Sequence, residues 1–347
     1  MKTQEIIDAC NLCKSSLMGG DFVPILSHFC FVGDYIYAYN DISAVVVDLD
    51  TDLHCAVKGP PLLGILNTLG KEVSLEQTDK GVCIKSGKTI MYLASLPESD
   101  MVFEFPQFDE RGTTVVSLTP DIIEGLKLCC ETVGENAMDK QYTGIAFSIY
   151  GSGELHIYSS DNVTVSRFIS STVITQKTGP RLFLLPAASV RQIIDMWEPD
   201  STENQRIELD SNWAVGQFPS GAVVSKLMTE EAPDYAKVFN NVADVSWVTL
   251  PEQFSPTLKR AQVLSEGASD AIVEFELKEN VLKLSIKAAL GSFTDEMKLR
   301  TGPAMKGKIR PASALHAAEV GEEIALTKRC LGFKKGDYTC LVSLVEE

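Results

Sequence analysis

A short amphipathic helix pattern followed by three or four strand-like runs recurs six times along this chain, at intervals of about 60 residues. The helix patterns start near Thr3, Pro60, Pro120, Pro186, Pro251 and Arg310. One helix with one small sheet cannot bury its apolar face alone. Such units must stack on copies of themselves, which predicts an extended, repetitive object.

The apolar positions carry the helix prediction. Ile6, Ile7, Cys10, Cys13 and Leu17 form one stripe at three- and four-residue steps, and Ile122, Ile123, Leu126, Cys129, Cys130 and Val133 form another. Val190, Ile193, Ile194 and Trp197, then Phe254, Leu258 and Ala261, continue the theme. The second (Leu62, Leu63, Leu66, Leu69) and sixth (Ala312, Leu315, Ala318) are short. Pro at the first turn of four of them costs no hydrogen bond, and Thr119 is a good cap.

Segments 28–40, 144–160 and 271–288 alternate apolar and polar residues around Gly33-Asp34, Gly151-Ser152-Gly153 and Glu279-Asn280, so they read as hairpins. Shorter hairpins are expected at 72–95, 205–227 and 322–345. The six units thus group as three pairs, with boundaries near 108–113 and 239–245. This predicts an α+β chain of three tandem domains, 1–110, 111–241 and 242–347. The second and third should open with a strand (113–118 and 245–250), which is missing or very short in the first. Segments 102–110 and 231–239 look alike and read as exit linkers.

Composition excludes several functions. With 31 Lys and Arg against 47 Asp and Glu, the net charge is -16. Such a chain repels nucleic acid unless its cations gather on one surface. No stretch approaches the ~18 uncharged apolar residues that span a bilayer, and Glu5 and Asp8 interrupt any signal-peptide pattern. A cytoplasmic location is expected, with the nine cysteines as thiols.

Cys10 and Cys13 have redox-motif spacing, but they lie mid-helix on the apolar stripe, so a core role is expected. His28, His54, His156 and His316 show no metal-ligand spacing. Gly19-Gly20 reads as a turn and not a phosphate loop. Asp48/Asp50 and Glu230/Glu231 are ordinary in so acidic a chain. No catalysis, metal or cofactor is expected. The polar helix faces carry Lys14, Lys127, Arg191, Lys259, Arg260 and Arg310, which would line one weakly basic surface if all six helices faced the same way.

The order and spacing of several stretches resemble the bacterial β sliding clamp, the processivity ring of the replicative DNA polymerase. They are 22–43 after a Pro-Ile-Leu entry, the hairpin 143–168, Ser-Lys-Leu then Pro-Asp-Tyr in 223–239, and the helix 258–265. The resemblance spans nearly the whole chain. It implies a head-to-tail homodimer of three-domain chains, forming a closed ring lined by twelve helices and sliding on double-stranded DNA. Two-domain clamps that form trimers are shorter, which favours the two-chain ring.

The resemblance further implies a pocket for short peptides of the polymerase and the clamp loader. Carried over by position, it falls on Tyr142, Ser160, Asp161, Asn162, Val163, Thr164, Val165, Pro233, Lys237, Val238, Cys340 and Val342. The dimer contact falls on Val263 and Leu264 against Phe105 and Phe108. The sequence departs from the family pattern at Asn162-Val163-Thr164-Val165 (Gly-His-Arg-Leu there), at the C-terminal 341–347, and at Asp21, where Arg is common. These departures imply a diverged or phage-encoded member. Two other readings stand beside it: a non-catalytic β-rich binding or structural protein that does not encircle DNA, and an enzyme using Cys10 and Cys13.

Overall fold

The computed structural model describes all residues except 21–22, 102, 107–112, 135–137, 175–180, 241, 265–270, 289, 300–303 and 346–347, and the side chains of 171–173. The six sequence units are all present. The first comprises α1 (Thr3–Cys13) and strands β1 (His28–Val32), β2 (Tyr35–Tyr39), β3 (Ser43–Asp48) and β4 (His54–Lys58). The second has α2 (Gly59–Leu66), β5 (Ser74–Thr78), β6 (Gly81–Ser86), β7 (Thr89–Leu93) and the short β8 (Ser95–Pro97). The third opens with β9 (Thr114–Ser117) and continues through α3 (Pro120–Cys130), β10 (Gly144–Ile149), β11 (Glu154–Ser160), β12 (Thr164–Val173) and β13 (Arg181–Pro186). The fourth has α4 (Ala187–Met196), β14 (Arg206–Leu209), β15 (Trp213–Phe218) and β16 (Gly221–Lys226). A six-residue helix, α5 (Tyr235–Asn240), then precedes the fifth: β17 (Val248–Thr249), α6 (Phe254–Leu264), β18 (Val273–Lys278), β19 (Val281–Ala288), β20 (Gly291–Lys298) and β21 (Met305–Ile309). The sixth has α7 (Pro311–Val320), β22 (Glu323–Leu326), β23 (Cys330–Lys335) and β24 (Tyr338–Ser343).

The contacts divide the chain into two compact units, residues 1–123 with 185–228 and residues 124–184 with 229–347. The first holds a nine-stranded antiparallel sheet, β8-β4-β1-β2-β3-β16-β15-β14-β9, and a three-stranded sheet, β5-β6-β7. The second holds an eight-stranded sheet, β13-β10-β11-β12-β24-β23-β22-β17, and a four-stranded sheet, β20-β19-β18-β21. The join in each large sheet follows one rule. The third strand after the helix of one sequence unit pairs with the corresponding strand of the unit three further on, β3 with β16 and β12 with β24. The third strands of the two remaining units, β7 and β20, lie at sheet edges.

The opening strands behave as the sequence implied. β9 pairs with β14 and β17 with β22, whereas the corresponding strand before α1 shrinks to a single bridge, Lys2 to Glu72. The segment 231–239 is not a simple linker. It contains α5, whose Tyr235 and Phe239 are buried.

Eight of the nine cysteines are buried in the core, and Cys330 is half-buried. Cys13 Sγ lies 3.5 Å from the Val45 carbonyl oxygen and 3.7 Å from that of Ile36, which seats α1 on β2 and β3. Cys129 takes the same helical position in α3 and lies 3.7 Å from the Ile157 carbonyl oxygen. No disulfide links the nine cysteines. Burial pushes the Cys10 thiol up to about 12 and Cys13 well above its ordinary value. A nucleophilic cysteine needs the opposite shift, so this pair is suited to packing and not to thiolate chemistry.

Candidate functional site

The residues 160–165 form a tight turn closing β11 onto β12. The Asp161 carboxylate accepts the N–H groups of Val163 and Thr164 at 2.9 and 2.6 Å, and Ser160 Oγ donates to the Thr164 carbonyl oxygen at 2.8 Å. Asn162 takes φ +74, a left-handed conformation that Gly adopts freely and Asn tolerates best among the other residues. The departure from Gly to Asn at this position therefore preserves the backbone. On the far side of β12 the Ser343 N–H donates to the Val163 carbonyl oxygen at 2.9 Å, so the end of β24 lies against the turn.

Pairing register decides which side chains share a face. Tyr158 stands opposite Arg167, Ser160 opposite Val165, and Val165 opposite Leu341. This outer face is covered in part by α5. Tyr235 stacks on Tyr158 with ring centroids 5.2 Å apart and an interplanar angle of 8°, Phe239 lies 5.9 Å from Tyr158, and the Arg167 guanidinium sits 4.3 Å over the Phe239 ring. Charge over an aromatic face is favourable, the more so when partly desolvated. The Tyr235 hydroxyl and Arg167 Nε are buried without a hydrogen-bond partner among the described residues. Burial raises the Tyr235 pKa and keeps the phenol neutral, with Tyr142 close enough to add to the shift.

Of the twelve positions carried over for a peptide pocket, the turn residues and the α5 residues Lys237 and Val238 border this face, with Pro233 just before the helix. Val163, Val165, Pro233 and Val238 are half-buried there. Cys340 and Val342 do not share it. Both are fully buried on the opposite face, where Ser166 Oγ and the Tyr338 hydroxyl lie 2.8 Å apart. Thr164, paired with Val342, also turns inward. Thr339, Leu341 and Ser343 are the β24 residues on the outer face, and of these Ser343 is exposed while Thr339 and Leu341 are buried. Strict two-residue alternation beyond Tyr338 could have located them, once the register was known.

The cations expected to meet DNA stand at or near helix surfaces and are exposed: Lys14 just after α1, Lys127 on α3, Arg191 on α4, Lys259 and Arg260 on α6, and Arg310 at the start of α7. Two are neutralised by residues distant in sequence. Lys259 Nζ is 2.7 Å from the Glu319 carboxylate of α7, and Arg260 pairs with Asp295 of β20. The Arg260 hydrogen bond holds the Asp295 carboxyl below its ordinary value, aided by Thr257. Exposed pairs of this kind contribute ~0–1 kcal/mol each. Glu5, Asp8, Glu124 and Asp195 also lie on exposed helix positions, so the helix faces are closer to neutral than basic.

Of the expected dimer contacts, Phe105 packs edge-on against Tyr35 and Phe103, on the outer side of the β2 hairpin. Phe108 lies outside the described residues. Val263 is exposed at the end of α6, and Leu264 reaches within 3.6 Å of where a Cβ on Gly291 would sit, beside the free edge β20. The other free edge, β7, exposes Ile90 and Tyr92 at 59% and 55%. Neither was singled out from sequence, although the alternating run 89–93 ends a hairpin with no partner following it.

No protein-family model and no curated protein sequence matches the chain. Solved structures do. A chain described as a DNA polymerase III β subunit from Eubacterium rectale matches with a TM-score of 0.87 at 16% identity, covering 100% of this chain and 98% of its own. A DNA polymerase sliding clamp from Pseudomonas aeruginosa, solved with a ligand, matches at 0.87 and 15% identity, over 100% and 99%. The Helicobacter pylori β clamp bound to a DNA ligase peptide matches at 0.81 and 16%, over 100% and 99%. The fold of this chain is that of the sliding clamps, over its whole length. The family resemblance read from local motifs thus holds at the level of fold, at an identity low enough to mark a diverged chain.

Proposed function

We propose that two copies of this chain, each built of the domains 1–110, 111–241 and 242–347, close head-to-tail into a ring around duplex DNA. The ring tethers the replicative polymerase and other replication proteins through short peptides and performs no catalysis. The observation that carries this is the unused pair of edges. Within the chain, third strands pair across three sequence units, first with fourth and third with sixth. Continued by the same rule, the fifth unit needs a second unit that only another copy can provide, so β20 of one copy meets β7 of the next. A heterologous contact of this kind, made twice, closes a two-chain ring and pairs the β7 and β20 edges of both copies.

The repeat also gives a register. Aligning β7 with β16 at the hairpin turn (Thr89 with Gly221) and β20 with β3 at the end opposite the start of the preceding strand (Lys298 with Asp48) places Tyr92 opposite Thr294 and Ile90 opposite Glu296. Apolar Ile90 and Tyr92 on one edge would then meet the neighbourhood of Val263, Leu264 and Leu290 on the other.

Retention by topology requires no strong attraction, so nearly neutral helix faces suit sliding, while a net charge of -16 discourages binding elsewhere on the protein. Partner peptides are assigned to the outer face at 160–165, α5 and Ser343, because the Helicobacter pylori neighbour binds a DNA ligase peptide and this face is partly apolar with unpartnered polar groups. Light scattering should give about 76 kDa, twice the chain mass of 37.9 kDa, and protein assembled on nicked circular DNA should leave when the circle is linearised. A monomer at micromolar concentration that is also lost equally from circular and linear DNA would refute the ring and favour a non-encircling binding protein.

A further inference from the structure

Beyond the end of β24 lies a groove of about 970 Å³, lined by Lys283, Lys306, Lys308, Lys328 and Arg329 together with Glu274 and Glu276. In a chain with a large excess of acids this is a local excess of cations. Its floor is the outer side of the four-stranded sheet. Glu276 stands between Lys283 and Lys306 across β19, β18 and β21, and Glu274 stands between Ser285 and Lys308. The two acids are occupied by Lys306 at 3.1 Å and Lys308 at 3.8 Å, while Lys283 leans to Glu296 at 3.7 Å. Lys328 and Arg329, exposed in the β22–β23 turn, have no ion-pair partner among the described residues. A side chain holds that turn: Thr327 Oγ1 accepts the N–H groups of Arg329 and Cys330 at 3.1 and 2.9 Å.

The groove is continuous with the docking face. Ser343 donates its N–H to the Val163 carbonyl oxygen of the 160–165 turn on one side, and faces Cys330 on the other. Ser343, Leu344 and Val345 then run along the groove wall, with the Leu344 N–H donating to the Arg329 carbonyl oxygen and the Val345 N–H to that of Lys308.

We propose that this groove receives an acidic stretch of the partner peptide, next to the part that docks at the 160–165 turn. The assignment rests on the docking reading above. Charge complementarity supplies the attraction, and Lys328 and Arg329 supply it at the least cost because no existing pair must break. Nucleic acid fits less well. A phosphate backbone would run past Glu274 and Glu276, whereas spaced carboxylates can address the free cations. The groove also lies on the sheet face away from the helix layer: Leu277, Leu282 and Leu284 are buried on the other side of β18 and β19.

The test uses fluorescein-labelled decaglutamate on the full chain at low salt, read by anisotropy. The wild-type chain should bind it, binding should weaken as salt rises, and the Lys328→Glu/Arg329→Glu variant should bind at least tenfold more weakly. Lys71→Glu/Lys80→Glu, the same charge change in the other compact unit, should bind as wild type does. Equal binding by wild type and the groove variant overturns the proposal. So does tighter, groove-dependent binding of a ten-residue oligothymidylate, which would make this a nucleic-acid contact. Binding that appears only after deletion of Glu346 and Glu347 also overturns it, since the chain's own carboxylates would then be the occupant. The docking reading fails separately, by loss of partner capture, and decaglutamate binding does not depend on it.

Discussion

The turn at 40–43 and the turn at 161–164 are two castings of one joint. Asn40 accepts the N–H groups of Ile42 and Ser43 as Asp161 accepts those of Val163 and Thr164. Asp41 and Asn162 share a left-handed backbone, at φ +72 and +74. The Lys226 N–H meets the Ile42 carbonyl oxygen as the Ser343 N–H meets that of Val163, each at 2.9 Å. What covers the joints differs. At the first, Phe103 lies over Tyr37 and Tyr39, and Met18, Val23, Leu26, Tyr39 and Asp41 line an open cavity of about 470 Å³. At the second, α5 brings Tyr235 and Phe239 onto Tyr158 and Arg167. The repeat fixes the backbone, and the chemistry available to a partner is set by segments outside it.

The largest way to break the comparison is at Gly221, which opens β16 with φ +145. A Cβ there would lie 2.1 Å from the Val46 carbonyl oxygen. The corresponding position of β24 is Tyr338, so only the first joint needs glycine. Gly221→Ala should lower stability by about 2–4 kcal/mol in urea denaturation, and an unchanged midpoint would show that the first joint tolerates a side chain as the second does.

A smaller effect separates the joints by function. Val163→Glu should reduce capture of the cognate replicative polymerase tenfold or more, about 1.4 kcal/mol. Ile42→Glu, at the matching and half-exposed site, should leave capture unchanged. Equal losses would assign partners to both joints. Smallest is the backbone itself: Asp41→Ala and Asn162→Ala should each cost about 1 kcal/mol, and Gly at either position should cost less. A difference between the two sites larger than their common cost would break the equivalence.

Much of the architecture was legible because it is local. Helix stripes such as Ile6-Cys10-Cys13 and turns such as Glu279-Asn280, both at positive φ, depend on neighbours a few residues away. The α5 helix escaped notice because six residues after a proline carry almost no period. The sheet joins were not readable, since nothing near β3 names β16 as its partner. The candidate site suffered most from this. A shift of one residue along β24 exchanges Leu341 and Ser343 for Cys340 and Val342, and so exchanges one face of the sheet for the other. The acids that neutralise Lys259 and Arg260 arrive from α7 and β20, 60 and 35 residues further along the chain, so a count of helix cations overstated the basic surface.

The claim that every third strand finds a partner three units on is tested most directly by cross-linking two copies. In a chain carrying Tyr92→Cys and Thr294→Cys, mild oxidation should give a covalent species of twice the chain mass that stays on circular DNA through high salt, with neither single variant doing so. A folded double variant that yields only uncross-linked monomer, or that cross-links no faster than the single variants, would contradict the account.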